Sequence, residues 1–402
     1  MIPSQLDAPA PRRIRKVGAV ILRHGLLLVV RKRETNRFIS PGGKPEPGET
    51  AIQCLERELA EELQIQVVSH QPLGTFSDQS AFENTQVDME VHHVQTAGIP
   101  CPGQEIEELA WVDAGYRERG LAMGSIFDRF VLPRLIEQGW VRARRRTSPP
   151  TERSILVADL DGTLVFDGKP LAGQLREALH GLRGRIEPVF ATSRAPRGAA
   201  ALLGDLLSMG TVICCNGAIV LERGRITRRQ TVDSAVVVAL CELMDELGAE
   251  FYLEYGERFA LCAGEASFRE MRNYKDCASL DRARQDWAEG VVKIAVRARD
   301  KQAFVRECLR RFASQVHLAA HESETIDIGP AGVNKLTAVQ ECFDLAHTRL
   351  TALGNDENDF ELLAEADAGY VVGHRLPGLE WAGGVKRVPA SLEQLLELLH
   401  AL

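Results

Sequence analysis

Apolar positions change their period several times along this chain. Val17 to Leu22 and Leu26 to Val30 read as short, largely apolar strands, followed by a turn at Pro41-Gly42-Gly43. From Thr50 to about Leu63 the pattern becomes helical, with Ile52, Leu55, Leu59 and Leu63 forming an apolar face suited to packing on a sheet. Further strand signals lead to Leu109-Ala110-Trp111-Val112, and a helix is expected from Ile126 to Glu137. The stretch Arg142-Ala143-Arg144-Arg145-Arg146-Thr147-Ser148-Pro149-Pro150 then breaks the pattern with the basic, Pro-terminated composition of a solvated tether. A new apolar strand starts at Ser154, and strands alternate with helices from there on, predicting a doubly wound α/β sheet.

These breaks predict a tail at 1–16, a first domain at 17–140, a linker at 141–153 and a second domain at 154–402. With 402 residues, each domain is long enough to bury a core of its own. The net charge of −8 argues against nonspecific duplex nucleic-acid binding, which needs a basic surface, but leaves small phosphorylated substrates open. Apolar runs such as Gly25 to Val30 fall far short of the roughly 20 residues that span a bilayer. The opening Met1-Ile2-Pro3-Ser4-Gln5 lacks a secretory pattern, so the expected location is cytoplasmic, with no membrane partner. Nine cysteines are scattered without metal-ligand spacing and are read as reduced core residues. Oligomeric state is not readable from these residues.

Chemistry enters first on the helix. Glu58, Glu61 and Glu62 are spaced i, i+3 and i+4, which brings three carboxylates to one face, where they repel unless cations lie between them. Hard oxygens of this kind suit Mg²⁺ or Mn²⁺ bridging to substrate phosphates, and the Gly42-Gly43 turn offers a close backbone carbonyl. With Gly43, Glu49 and Arg57 in register, the segment resembles the Nudix box, G-x5-E-x7-R-E-hydrophobic-x-E-E-x-G-hydrophobic; Gln64 stands where that family has Gly. The resemblance implies an α/β/α sandwich with a mixed sheet. It also implies that Glu58, Glu61, Glu62 and the Gly43 carbonyl hold metal, that Arg57 and Glu49 pair, and that water attacks a diphosphate linkage. No Lys or Arg occurs from Glu58 through Tyr116, so cationic help for the diphosphate must come from metals or from Arg31, Lys32, Arg33, Arg37, Lys44 and Arg57, and Arg31, Arg33 or Lys44 is expected to touch substrate. Glu105 and Glu108 are weaker candidates for an extra acidic ligand or base.

The second candidate follows the strand Ile155-Leu156-Val157-Ala158. Asp159-Leu160-Asp161-Gly162-Thr163 puts two carboxylates into the loop at a strand's C-terminal end, the edge where open α/β sheets bind ligands. With Val189-Phe190-Ala191-Thr192-Ser193-Arg194, Val333-Asn334-Lys335 and Leu353-Gly354-Asn355-Asp356-Glu357-Asn358-Asp359 following in order, the half resembles the haloacid dehalogenase-like (HAD) phosphatases. Cys215-Asn216-Gly217-Ala218 resembles the Asn-Gly-Ala turn of their Cof-type branch. The resemblance implies a Rossmann-like core at 154–230 and 329–402 and an α/β cap of type C2 at 231–328. It makes Asp159 the nucleophile and Asp161 the general acid/base, with Thr192, Ser193, Lys335 and Asn216 around the phosphate. Mg²⁺ would be shared by Asp159, the Asp161 carbonyl and the loop carrying Asn355, Asp356 and Asp359, and Lys293, Arg272 and Glu254 are candidate cap contacts. Asn355 replaces the family's usual Asp, an oxygen donor without charge.

Together the two resemblances imply a bifunctional metal-dependent phosphohydrolase acting on small phosphorylated metabolites or nucleotides. An alternative makes the HAD half a ligand-binding regulatory module for a Nudix enzyme.

Overall fold

The computed structural model describes residues 13–79, 85–103, 105–143, 153–262, 277–279, 288–321 and 325–402. Its contacts gather into two units, Met1–Arg145 and Arg146–Leu402. Among the described residues no helix is long and apolar enough to cross a membrane.

In the first unit the opening strand runs Arg13–Val20, so it starts inside the predicted tail. The strand was concealed by charge: Arg13 and Arg15 are exposed and face Asp88 and Glu90 on the parallel neighbour Gln86–Ala97, at 3.8 and 3.2 Å. Gln66–Gln79 completes this mixed three-stranded sheet. A second sheet joins Leu22–Arg23, Leu26–Lys32, Phe38–Ile39 and Ile106–Val112. The helix Ala51–Leu63 is closed at its start by a capping box between Thr50 and Gln53, and buries Cys54, Leu55, Leu59 and Leu63. It stops at Gln64, which takes the left-handed conformation (φ 58°) that its family counterpart meets with Gly. The helix expected from Ile126 to Glu137 is a π-helical turn, Phe127–Val131, followed by an α-helix, Leu132–Glu137, because Pro133 offers no N–H to an unbroken α ladder.

The predicted linker is shorter on both sides. Val141 is buried and the Arg142 N–H donates to the Gly25 carbonyl at 2.8 Å, tying both to the first unit, while the first strand of the second unit begins at Arg153. Residues 144–152 of that stretch lie outside the described residues.

The second unit has two sheets. The core sheet runs in the spatial order Arg225–Arg229, Ile219–Glu222, Thr211–Cys214, Glu187–Ala191, Arg153–Ala158, Thr348–Gly354, Ala368–Val372 and Val385–Val388. Its last six strands are mutually parallel and the first two are antiparallel additions. The chain leaves Arg153–Ala158 toward one side and returns at Thr348–Gly354 on the other, so the order reverses between these two strands. The cap carries a six-stranded sheet that includes Glu250–Glu254, Lys293–Arg297 and Thr325–Pro330, with helices Ser234–Glu246 and Lys301–Phe312. The seven described cysteine thiols are free, five of them buried.

The Cys215-Asn216-Gly217 turn packs closely against the Asn334 backbone. Gly217 has φ +111°, and a Cβ there would lie 2.4 Å from the Asn334 carbonyl oxygen. Gly217→Ala is therefore expected to cost about 1–3 kcal/mol, measured as a lowered thermal or urea midpoint. Gly248→Ala, where a Cβ meets nothing within 4 Å, is the control and should lose less.

Candidate functional site

The three helix carboxylates differ in environment because the helix face turns gradually into the core. Side-chain exposure falls from 64% at Glu61 to 14% at Glu58 and 3% at Glu62, which lies beside Leu59 and Leu63. Burial pushes the Glu62 carboxyl above the usual range, against the pull of Lys32 and the Gly42 N–H. Arg57 forks onto Glu49 at 2.9 and 3.0 Å and reaches Glu58 Oε1 at 2.9 Å, which bridges the loop and the acidic face. Close approach here requires Gly43: a Cβ would come within 1.9 Å of Glu58 Oε1. The Gly43 carbonyl accepts the Val17 N–H at 2.9 Å, leaving one lone pair for another partner.

These groups line a cleft of about 740 Å³ that also includes Lys16, Lys32, Lys44 and Glu105. The structure does not bring Arg31 into it. The Arg31 guanidinium is held by Glu107 and Glu108, each at 2.7 Å, so the expectation for Arg31 as a substrate contact is corrected, and Glu108 is drawn off with it. Arg33 is likewise not among the cleft-lining residues, whereas Lys44 is.

In the second unit the candidate residues meet where the sheet order reverses, the place at which the loops after neighbouring strands diverge and leave a crevice. Asp159 follows one of the two strands, and Asn355, Asp356 and Asp359 follow the other. Lys335, at the start of the helix Lys335–Cys342, is fully buried between two carboxylates, 2.6 Å from Asp159 Oδ1 and 2.7 Å from Asp359 Oδ1. Burial pushes the Asp159 carboxyl upward, opposed by Lys335 and aided by the Asp359 charge. Burial alone would lower the Lys335 ammonium, but the two aspartates outweigh it and raise it.

The remaining predicted residues separate by role. Thr192 is buried and its hydroxyl accepts the Arg194 N–H at 3.1 Å. The Ser193 carbonyl accepts from Lys293 Nζ at 2.9 Å. Asn216 donates to Asp327 Oδ2 and accepts from Asn358, both at 2.9 Å. Asn355 Oδ1 accepts from Thr163 Oγ1 at 3.2 Å. Asp359 Oδ2 is committed to the N–H groups of Asn355 and Asp356. Asp356 caps the following turn and pairs with Arg375 at 2.6 Å and His321 at 3.6 Å.

The cavity above Asp159, about 570 Å³, is lined from both core and cap. Glu254 takes a forked contact from Arg197 at 2.8 and 2.5 Å, and Lys293 pairs with Asp327 at 3.0 Å. Arg272 lies outside the described residues. Asp327 also meets His321 at 2.9 Å; burial would lower this imidazole, yet Asp327 and Asp356 raise it to about 9. Asp161 is gripped by Arg194 at 2.6 and 2.7 Å. Arg194 had no predicted role, although it directly follows Thr192 and Ser193. His321, Asp327 and Arg375 carried no signal at all, because their partners are set by tertiary contacts.

Among the described residues no three His, Cys, Asp or Glu side chains already converge as a metal cage. Arg57, Lys32, Lys335 and Arg194 hold the carboxylates instead. The donor sets still fit a hard divalent ion: carboxylates in both places, the Gly43 cradle in one, and in the other the buried Asn358 Oδ1, which has no hydrogen-bond partner.

Comparison with known proteins agrees with this geometry. The family model of haloacid dehalogenase-like hydrolases matches residues 156–379, and that of the NUDIX domain matches residues 12–115. A curated relative is 5-amino-6-(5-phospho-D-ribitylamino)uracil phosphatase YitU of Bacillus subtilis (strain 168). It is 20% identical over 253 residues, covering 57% of this chain and 90% of that protein. Among solved structures, SMU.1108c from Streptococcus mutans UA159 is 17% identical with a TM-score of 0.55, covering 62% of this chain and 98% of that one. A haloacid dehalogenase-like hydrolase from Bacteroides thetaiotaomicron is 18% identical with a TM-score of 0.54, covering 62% and 99%. The HAD subclass IIB sugar phosphatase BT4131 is 17% identical with a TM-score of 0.53, covering 62% and 98%. At these identities the structural likeness speaks for the fold. Core, cap and motif order converge on one conclusion: this chain belongs to the haloacid dehalogenase-like hydrolases, carries a NUDIX domain ahead of that fold, and is a phosphohydrolase.

Proposed function

We propose that the two halves are two metal-dependent active sites, the first cleaving a diphosphate linkage in a small molecule and the second removing phosphate from a monoester. The observation that carries the second site is the buried Lys335 ammonium shared by Asp159 and Asp359 beneath the cavity. Lys335 holds Asp159 Oδ1, which leaves Oδ2 to attack phosphorus. As the Asp159–phosphorus bond forms, the bond to the leaving oxygen breaks and that oxygen takes a proton from Asp161. Water then attacks the aspartyl-phosphate and gives its proton to Asp161, which frees inorganic phosphate and restores Asp159. Arg194 sets the resting position of Asp161 and must release it for each transfer. Thr192 and Lys335 face the phosphoryl oxygens, whose growing charge they offset.

Glu58, Glu61, Glu62 and the Gly43 carbonyl would hold the cation of the first site, and Asp159, the Asp161 carbonyl and the Asn355–Asp359 loop that of the second. When bound, Mg²⁺ or Mn²⁺ supplies Lewis-acid neutralisation of phosphate oxygens and lowers the pKa of water. The bounded cavity favours small phosphorylated metabolites or nucleotides over polymers, and the free thiols fit a reducing cytoplasm. If the steps are sequential, the phosphorylated product of the first site is consumed at the second.

A second reading is favoured by one observation: the Asn355 amide oxygen is already engaged by Thr163 and brings no charge to a cation. In that reading the second half binds a phosphorylated ligand and regulates the first.

Three measurements test these readings. Asp159→Asn is expected to lower p-nitrophenyl phosphate turnover by at least about a thousand-fold while leaving diphosphate cleavage intact, and Glu62→Gln is expected to do the reverse. EDTA should stop both reactions, and added Mg²⁺ or Mn²⁺ should restore both. If wild-type protein turns over no monoester in a metabolite screen, while a phosphorylated ligand changes the diphosphate rate, the regulatory reading replaces the bifunctional one.

A further inference from the structure

Both oxygens of Glu62 have a neighbour. Oε2 accepts the Gly42 N–H at 2.9 Å, while Oε1 lies 2.9 Å from Lys32 Nζ without forming a hydrogen bond of good geometry. The same ammonium lies 2.9 Å from Glu105 Oε2, whose side chain is 73% exposed at the cleft. Lys32 ends the strand Leu26–Lys32, and its register against Ile106–Val112 shifts between Arg31 and Lys32. Such an irregularity re-aims the side chains beside it. Arg31 turns to Glu107 and Glu108, and Lys32 turns to Glu62.

Resting on the metal-site reading of the first half, we propose that Lys32 is a resident cation which the divalent ion must displace from Glu62, and which then turns to the cleft as a phosphate contact. Oε2 is fixed by the backbone, so Oε1 is the oxygen free to change partner. An ammonium and a divalent ion on that one oxygen would repel each other across a few ångströms in a poorly screened setting, so one excludes the other. Without metal, Lys32 compensates a carboxylate that is almost wholly buried, which would otherwise be left as an unpaired charge. Once displaced, Lys32 keeps Glu105 beside it. It also stays within the cleft lined by Gly43, Arg57 and the acidic face, where a diphosphate would lie. Charge is thereby balanced in both states: lysine against carboxylate before loading, and lysine against substrate phosphate after it. Lys32 acts through Glu62 on metal loading and is a positioning residue in that step.

The test is a Mn²⁺ titration of the full-length protein, reading free Mn²⁺ by electron paramagnetic resonance in wild type, Lys32→Met, Lys32→Gln and Glu62→Gln. The binding component that disappears in Glu62→Gln belongs to the first site, which separates it from any ion bound by the second half. That component is expected to tighten by about ten-fold in Lys32→Met, with Lys32→Gln in between, because the competing charge is gone. After EDTA treatment Lys32→Met should melt below wild type, and Mn²⁺ should remove the difference. A lysine with only a structural role would, on removal, leave Mn²⁺ affinity unchanged or weaker; that result, with the Glu62-dependent component still present, overturns the proposal alone. If no variant shows a Glu62-dependent component, the metal reading of the acidic helix falls and this inference falls with it.

Discussion

One fully buried ammonium governs the second half of this protein. Lys335 is held between Asp159 and Asp359, at the point where the core sheet reverses its strand order. A lone buried charge of either sign would be too costly to retain, so the three groups must be assembled together or not at all. Their assembly fixes the surroundings: Asp359 must turn its other oxygen to the N–H groups of Asn355 and Asp356, which shapes the loop after Thr348–Gly354. It also fixes the start of the helix Lys335–Cys342, whose Asn334 cap lies against the Gly217 turn.

The first half applies the same principle with a different fold. Three carboxylates on one helix are kept close because Arg57 and Lys32 stand between them, one from the helix itself and one from a strand. In both halves the protein's own cations occupy the anionic groups that a divalent ion would also seek. On the proposed reading of the first half, metal binding would be an exchange of partners, whose strength reflects the ion pair that is given up as well as the bonds formed.

What could be read in the chain was local. The Thr50 to Leu63 helix, the spacing of Glu58, Glu61 and Glu62, and the Asp159-to-Asp161 turn depend on neighbours a few residues away, and periodicity exposes them. The sequence motifs also carried the doubly wound core and the presence of a cap. The start of the first strand was missed because Arg13 and Arg15 interrupt an apolar pattern while pairing across to Asp88 and Glu90. The grip of Arg194 on Asp161 and the Lys293 and Asn216 contacts to Asp327 join residues 33, 34 and 111 positions apart. Nothing in local spacing reports such pairings, since they exist only once distant strands have come together in the core and cap sheets. Arg31, one of three cations expected near substrate, shows the same limit from the other side: local spacing does not report that Glu107 and Glu108 hold its guanidinium.

The strand Thr325–Pro330 belongs to the cap sheet, and residues 331–334 alone connect it to Lys335. The cap is thus moored to Lys335 by a tether with almost no slack, and its other attachment, residues 230–233 between the strand Arg225–Arg229 and the helix Ser234–Glu246, is just as short, with the N–H groups of Gln230 and Val232 donating to the Ala218 and Val291 carbonyls at 2.8 Å. Insertions and deletions will be tolerated poorly at both joints. A transplanted or redesigned cap must keep the length of both segments, since two four-residue hinges together fix where its sheet comes to rest over the Asp159 cavity.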